Sequence, residues 1–559
     1  MPGKVSSSRI ESLEILRQSI TTMDAATLID TVHATAMHSD EALKILREPT
    51  PEGGIPMAIN NDPGGLEGVA YVIESWTVSK MCDELIADCC ERLIDVAAED
   101  ASTRDSFNKG AQALLQTLSS TRHDGACERA AASLEKICRL ALRDQTKHTL
   151  TGLPAEWLNQ LISLAGSTAE YTTCLRRSAG LPIGVRAILR ADEQTNTPTL
   201  LQPCFHALLL LGRGTAPIEC RRSGADNYVA SDDASRVHGL NILRLLCLDK
   251  AIRMHTSPRL TACFALTLDL LRSPSWAVRN SSALCFSAVL ERTLRSHAKP
   301  CPRLQGMELF TGTFRNNDDE IECQPRFGKL DPRRVTHRMP ELIPLIEKTL
   351  GMAVNEHMQH ATANVANGAN VGHSSESLTL FCSLLFVVQL SAPPPTAQMA
   401  ACSMLDLSSM RSLVDSCAGS PSYHIRALAA RAFVPLVPHT QLLSTCISIC
   451  AELPASPHAP ISHNRVHGLL LQVRSLLLAA ARSTRLTHPE AREKWALVAA
   501  EVELGQAVES ALRPASWLRA CKCGVICHEM RQTMLLAGFL RRQAQESCSS
   551  TCSITRSCY

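Results

Sequence analysis

Apolar residues recur at helical spacing along almost the whole chain, and two-residue alternation is scarce. Ser8 followed by Glu11 is a capping box at the head of the first helix. The pattern predicts helices over 8–20, 23–47, 67–98, 104–120 and 125–143. A denser block follows from Pro154, with helices over 154–178, 182–192, 198–212, 234–249, 257–272 and 275–295. Pro49 to Gly65, rich in Pro and Gly, and the polar stretch Gly212 to Asp233 read as loops. His297 to Pro340 reads as irregular, with acids at Asp318, Asp319, Glu320 and Glu322 facing bases at Arg333, Arg334, His337 and Arg338. A helix from Glu341 is expected to end near Val354, ahead of a flexible polar insertion over Asn355 to Ser375. Further helices are predicted over 376–391, 397–417, 422–436, 439–452, 463–484, 488–512 and 515–545.

Two internal echoes turn this list of helices into an array. Ser273 to Leu290 and Ser422 to Val437 share one grammar: a helix start, an arginine one turn in, then a small-residue-rich apolar helix. Lining Trp276 up with Tyr423 puts Arg279 on Arg426 and Phe286 on Phe433. Arg236-Val237-His238-Gly239-Leu240 also returns as Arg465-Val466-His467-Gly468-Leu469, each opening a long apolar helix. A mid-helix glycine costs about 1 kcal/mol against alanine, and is tolerable where another helix passes close. A helix pair cannot bury its apolar face alone, so such units stack and share a continuous core. The expected fold is all-α, an armadillo/HEAT-like helical-repeat solenoid. Its expected parts are N-terminal repeats over 1–150, core repeats over 151–345, the polar insertion over 346–375, C-terminal repeats over 376–545 and a disordered tail over 546–559.

Composition narrows the chemistry. Of 559 residues, 45% are hydrophobic and only 4% aromatic, so Ala and Leu carry the apolar load and favour helix over strand. The net charge of +2 gives no global pull toward nucleic acid, so any such contact must be a local patch. Arg outnumbers Lys 44 to 12, which suits phosphate and carboxylate recognition and equally fits a coding bias. The 24 cysteines lie mostly inside apolar helical stretches and read as reduced, buried thiols. The N-terminus lacks an apolar signal region, and the longest apolar run, Leu378 to Leu390, is too short to span a bilayer. A soluble, cytoplasmic protein is expected.

Catalytic signatures do not stand out. Leu164-Ala165-Gly166-Ser167 and Leu211-Gly212-Arg213-Gly214 follow helical patterns rather than strands, so neither opens a nucleotide-binding turn. Cys521, Cys523, Cys527 and His528 have off-pattern spacing for zinc and fall in a predicted helix. No catalytic residue, metal or cofactor is expected. The binding candidates are basic and polar. Arg176 and Arg177 end a predicted helix, Gly180 reads as a left-handed cap, and Pro182 starts the next helix. Two guanidinium groups at such a corner can complement the helix dipole, or grip successive phosphates or an acidic protein patch. His238, Asn241 and Arg244 step by three along the helix opened by Arg236, either as a hydrogen-bond ladder between repeats or as an exposed binding surface. Arg279 and Asn280 carry the same two readings.

Three motifs occur in the order seen in one family: Arg176-Arg177-Ser178-Ala179-Gly180-Leu181-Pro182, then Arg236-Val237-His238-Gly239-Leu240-Asn241-Ile242-Leu243-Arg244, then Trp276-Ala277-Val278-Arg279-Asn280-Ser281-Ser282. The chain resembles the thyroid adenoma-associated protein (THADA) family and its fungal counterparts, over about Pro154 to Leu294 and again over Ser422 to about Ala480. The resemblance implies a large armadillo/HEAT-type protein that is not an enzyme. Its implied partners are an FtsJ-like methyltransferase, which methylates a ribose 2′-hydroxyl in the anticodon loop of certain tRNAs, and the tRNA anticodon arm; no membrane is involved. Taken with the resemblance, the expected contacts to the tRNA or the methyltransferase are Arg176, Arg177, Ser178, Gly180, Pro182, Arg236, His238, Asn241, Arg244, Arg279 and Asn280. The chain departs from the family in being much shorter, in matching only vaguely over 1–150, and in reading Gln305-Gly306-Met307-Glu308-Leu309-Phe310 where the family has Met-Thr-Gly-Arg-Glu-Phe-Phe. It is expected to be a shortened member or a fragment. The alternative is a general protein-binding HEAT/armadillo adaptor with no RNA role, recognisable by dispersed, salt-bridged arginines.

Overall fold

The computed structural model describes residues 8–47, 63–120, 124–143, 148–166, 180–214, 229–252, 257–295, 330–367, 376–391, 407–438, 441–454, 462–486 and 524–538, with a few positions between 508 and 515. Among them there is no β-strand; one isolated parallel bridge joins Leu330 to Leu390. The all-α expectation therefore holds. The chain divides into two compact units, Met1–Leu270 with Ser275–Thr293, and Leu271–Pro274 with Leu294–Tyr559.

The first unit contains α1 (Ser8–Ser19), α2 (Ala25–Arg47), α3 (Pro63–Glu99), α4 (Ala101–Ser120), α5 (Asp124–Arg143), α6 (His148–Thr151), α7 (Leu153–Gly166), α8 (Leu181–Glu193), α9 (Leu201–Arg213), α10 (Val229–Leu248), α11 (Ser257–Leu270) and α12 (Trp276–Arg295). They stack in two layers. One runs α1, α3, α5, α8, α10; the other runs α2, α4, α7, α9, α11. Helices within a layer are parallel, because their ion pairs ascend together: Glu84 with Arg129 and Asp88 with Lys136, then Glu128 with Arg186 and Glu135 with Arg190. Between the layers lies a core of Leu85, Leu114, Leu134, Trp157, Leu161, Ile188 and Leu243, all buried. Phe107 stacks near Trp157, with ring centroids 6.3 Å apart, and Phe264 meets Phe286 edge-on at 5.6 Å.

The second unit contains α13 (Pro332–Arg338), α14 (Leu342–Asn367), α15 (Glu376–Val388), α16 (Ser408–Ser416), α17 (Tyr423–Phe433), α18 (Leu442–Ala451) and α19 (His463–Leu486), with a further helix over 524–538. Here α15, α17 and α19 form one row, and α14 packs on α16 in the other. The helix expected to stop near Val354 runs on to Asn367. Ala353 and Val354 are buried, and His357 Nε2 lies 2.8 Å from Ser420 Oγ, so the inward face continues past the point where hydrophobicity fades. Alanines at 361, 363 and 366 add helix propensity. Positions 368–375 of the expected insertion lie outside the described residues, as do most of the loops expected over 49–65, 212–233 and 297–340. A short helix, α13, forms inside the stretch expected to be irregular.

The echoes have a packing cause. A side chain on Gly468 would run into the backbone of Ala418, and one on Gly239 would sit 3.2–3.3 Å from Leu211, Gly212 and Leu208. Both glycines let a helix of the opposite layer pass at backbone distance, as the pentapeptide repeat predicts. The glycine motifs rejected as nucleotide turns are helix ends: Gly166 closes α7, and Gly214 caps α9 in the left-handed region at φ 74°. Of the 14 described cysteines that are free thiols, 13 are buried. Burial pushes thiols such as Cys204 up to about 12, which keeps them protonated and inert. No described helix is long and apolar enough to cross a membrane.

Candidate nucleic-acid interface

Arg176, Arg177 and Ser178 lie outside the described residues; the corner that follows them is described. Pro182 sits in the first turn of α8, as expected, and is buried. Gly180 departs from expectation. It is the N-cap of α8 with φ −83° and ψ −8°, a right-handed conformation, rather than a left-handed cap. Its requirement for glycine is steric: a Cβ there would lie 2.5 Å from the Leu118 carbonyl oxygen and 2.9 Å from Cys127 Sγ. The chain thus enters α8 pressed against the end of α4 and the start of α5.

The stripe on α10 turns largely inward. His238 is 4% exposed and Asn241 is buried, while Arg236 and Arg244 are half-buried. Burial pushes the His238 imidazole down to about 4, so it is neutral near pH 7, and its Nδ1 meets no hydrogen-bond partner among the described residues. On α12 Arg279 is half-buried and Asn280 exposed. His238 and Asn241 in these positions can act on a ligand only through the residues that cover them.

The second copy of the motif shows what such residues do inside the stack. Arg426 is 7% exposed. Its Nη1 donates to the carbonyls of Ser420 at 2.6 Å and Pro421 at 3.0 Å, and to Asn464 Oδ1 at 3.0 Å. Its Nε donates to His467 Nδ1 at 3.1 Å. One guanidinium therefore ties the loop before α17 to the head of α19. Beside it, Arg465 reaches the Asp415 carbonyl at 2.7 Å, Asp415 Oδ2 at 2.9 Å and Glu452 Oε2 at 2.7 Å.

Cations of the first unit form a chain of pairs across one layer. Arg17 meets Glu84 at 2.9 Å, Arg129 meets Glu84 at 3.2 Å, and Lys136 meets Asp88 at 2.8 Å and Glu91 at 2.6 Å. Arg190 meets Asp249 at 2.6 Å, and Arg292 donates to the carbonyls of Asp249 at 2.7 Å and Ile252 at 2.6 Å. Each contact joins neighbouring helices, so these arginines set the register of the stack. The more exposed of these pairs, Arg17 with Glu84 and Lys136 with Glu91, add about 0–1 kcal/mol each. An open cavity of about 880 Å³ at the C-terminal ends of α5 and α8 is lined by Lys136, Arg139, Arg143, Gln194 and Asn196, with Glu91 opposite. Lys136 and Arg139 are already engaged by acids there.

Among the described residues no three His, Cys, Asp or Glu side chains converge to hold a metal ion. Cys521 and Cys523 lie outside them, and Cys527 and His528 fall in the helix over 524–538. Trp276 and Tyr423 align with each other at the heads of the two echoed segments. In the structure both are large aromatics left in solvent. The available signal was an aromatic at the first helical position, off the apolar stripe of its own helix.

A family profile described as THADA/TRM732, DUF2428 matches residues 28–277, and one described as Trm732, C-terminal TPR repeats, matches residues 308–476. The chain is 29% identical over 377 residues to the tRNA (32-2′-O)-methyltransferase regulator THADA of Homo sapiens, covering 67% of this chain and 17% of that protein. The protein of the same name in Chlorocebus aethiops is 27% identical over 421 residues, 74% of this chain and 19% of that one. The tRNA (32-2′-O)-methyltransferase regulator trm732 of Schizosaccharomyces pombe is 23% identical over 262 residues, 45% of this chain and 16% of that one. The chain thus spans less than a fifth of the length of each of these relatives. With both profiles matching in order on an all-helical stack, the chain belongs to the THADA/Trm732 family.

Proposed function

We propose that this chain is a non-catalytic regulatory segment that helps an FtsJ-like methyltransferase modify a ribose 2′-hydroxyl in the tRNA anticodon loop, at position 32 as in the names of its relatives. The helical stack orients the tRNA anticodon arm and docks the enzyme, so that target ribose and methyl donor meet in the enzyme's own active centre. Holding reactants in register is catalysis by positioning, supplied in trans. The observation that carries this reading is the ordered match of both family profiles to relatives named as methyltransferase regulators.

The Arg176–Arg177 corner is the proposed contact with tRNA phosphate or with an acidic patch on the enzyme. The ion-paired cations of α1 to α12 are engaged in the stack, which leaves this corner as the motif best suited to an external anion. Replacing both arginines with glutamine should abolish 2′-O-methylation at position 32 in cells that depend on this chain, while circular dichroism stays unchanged. Full methylation in the double variant would remove the corner from the site.

One observation favours a second reading. Arg17, Arg129, Arg186 and Arg190 of the first unit are salt-bridged between helices, the pattern expected of a plain protein adaptor. An adaptor would co-purify with protein partners but with no tRNA, and its loss would leave ribose methylation intact.

A further inference from the structure

Aromatic side chains are few in this chain, and most of those described are core. Trp157, Phe107, Phe264, Phe286 and Phe386 are fully buried. Among the described residues the large aromatics left in solvent are Trp276, 70% exposed, and Tyr423, 50% exposed. They hold the same position in the two echoed segments, the first residue of α12 and of α17, one turn ahead of Arg279 and Arg426. Their neighbours follow one plan as well: Val278 and Ile425 are buried, and so are Phe286 and Phe433. Leaving an aromatic face in water forgoes roughly 25 cal/mol per Å² of burial, and the array does so twice at one register.

Tyr423 is also braced. Its ring stacks on His467 with centroids 5.7 Å apart and planes 21° from parallel, and meets His424 edge-on at 5.7 Å. Arg426 Nε donates to His467 Nδ1, which places the ring hydrogen on Nε2. That Nε2 is buried and meets no acceptor among the described residues. Burial and the Arg426 charge push the imidazole down to about 4, so it is a neutral, flat ring near pH 7. Ser422, the N-cap of α17, makes no side-chain capping bond, and Pro421, Tyr423 and His424 around it are exposed, so the positive end of this 11-residue helix lies at the surface beside the tyrosine. At the other platform Asn280 is exposed one turn beyond Trp276.

We propose that Tyr423 and Trp276 are stacking platforms for unpaired nucleobases of the RNA. This rests on the tRNA reading above and deepens it by naming a contact to bases rather than to phosphates. A nucleotide offers what the Tyr423 site leaves open: a flat π-face for the free side of a ring already braced from behind by His467, and a phosphate for the helix end beside it. A peptide strand offers neither the extended flat face nor the phosphate. Stacking of this kind tolerates any base, since every base has a π-face.

The test is titration of the full chain, with its methyltransferase partner present, into an anticodon stem-loop RNA carrying 2-aminopurine at single loop positions. Stacking should quench the probe at one or more positions. Tyr423→Ala and Trp276→Ala should each abolish quenching at the position they serve and weaken stem-loop binding about tenfold. Tyr423→Phe and Trp276→Phe, which keep the ring, should behave as wild type and show that the alanine effect is not a loss of fold. Wild-type quenching and affinity in both alanine variants would sink the platforms and leave the tRNA reading standing. Absence of stem-loop binding by the wild-type assembly would sink that reading and the platforms with it. Alanine variants that keep RNA but release the methyltransferase would reassign these aromatics to a protein contact and overturn the proposal.

Discussion

Arg426 and His467 show how a charge and a titratable ring are kept inside a helical stack. The Arg426 fork satisfies two backbone carbonyls, an amide oxygen and a ring nitrogen at once. Arg426→Met should therefore cost about 2–4 kcal/mol, because it strands several buried acceptors together. Arg426→Lys keeps the charge but cannot span the same four groups, so denaturant midpoints should show it recovering less than half of that loss. The histidines carry a second prediction. Both His238 and His467 are held near 4, whereas an exposed histidine titrates near 6.5. The unfolded chain takes up these protons first, so stability is full above about pH 6.5 and falls as pH drops toward 4. Each ring contributes up to about 3 kcal/mol to this loss. Asp83, whose carboxyl burial raises, works in the opposite direction, so the comparison must be made between variants. Urea unfolding from pH 7 to 4.5 should give a shallower decline for His467→Gln than for wild type; equal slopes would show that the ring titrates freely in the native state. At this scale the sequence marked the residues but not their partners. Arg426 was visible as the counterpart of Arg279, yet His467 lies 41 positions away, and only stacking brings them together. His238 and Asn241 read as a stripe with two possible faces, and burial within the stack is what decides between them.

Helix existence was legible almost throughout, because the apolar stripe repeats at 3.6 residues wherever two layers must share a core. Helix ends were not. The extension of α14 to Asn367 depends on Val354 and His357 reaching neighbours that no local pattern names. Gly180 looked like a helix terminator and proved to be a contact point, since its constraint comes from Leu118, some 60 residues earlier in the chain. The Gly239 and Gly468 echo was the better guide, as a repeated mid-helix glycine has few causes other than a neighbour at backbone distance. It yields a prediction with an unusual sign. Gly→Ala in an exposed helix interior stabilises by about 1 kcal/mol. Gly468→Ala should instead destabilise by about 1–3 kcal/mol, since the new methyl meets the Ala418 backbone, which cannot rotate aside. Gly239→Ala, facing contacts at 3.2–3.3 Å, should cost less. Thermal melts of the two variants give the order directly, and a stabilised Gly468→Ala protein would refute the close approach.

At the scale of the whole chain, units in which each helix meets mainly its neighbours behave as chains of coupled local stabilities rather than as single cooperative blocks. Asp249 is the clearest place to see this in the first unit. Its side chain is 1% exposed. Its Oδ2 accepts from Arg190 at 2.6 Å, its Oδ1 accepts from the Ala251 amide at 2.8 Å, and its carbonyl accepts from Arg292. One residue at the end of α10 thus holds α8 on one side and α12 on the other. Asp249→Asn keeps the shape and removes the charge, at a cost of about 2–3 kcal/mol for leaving Arg190 half-compensated. Native-state hydrogen exchange should then speed up through α8, α10 and α12 while α1 to α3 keep their protection, because the Arg17, Glu84 and Asp88 contacts lie at the far end of the same layer. The same graded behaviour bears on function. The proposed function, holding RNA and enzyme in register, requires a rigid contact corner, and α8, which the proposed corner opens, is the helix Asp249 secures through Arg190. Asp249→Asn should therefore lower ribose methylation in step with the loss of protection in α8, although it touches neither proposed ligand. Full methylation alongside a loosened α8 would separate the corner's rigidity from its role.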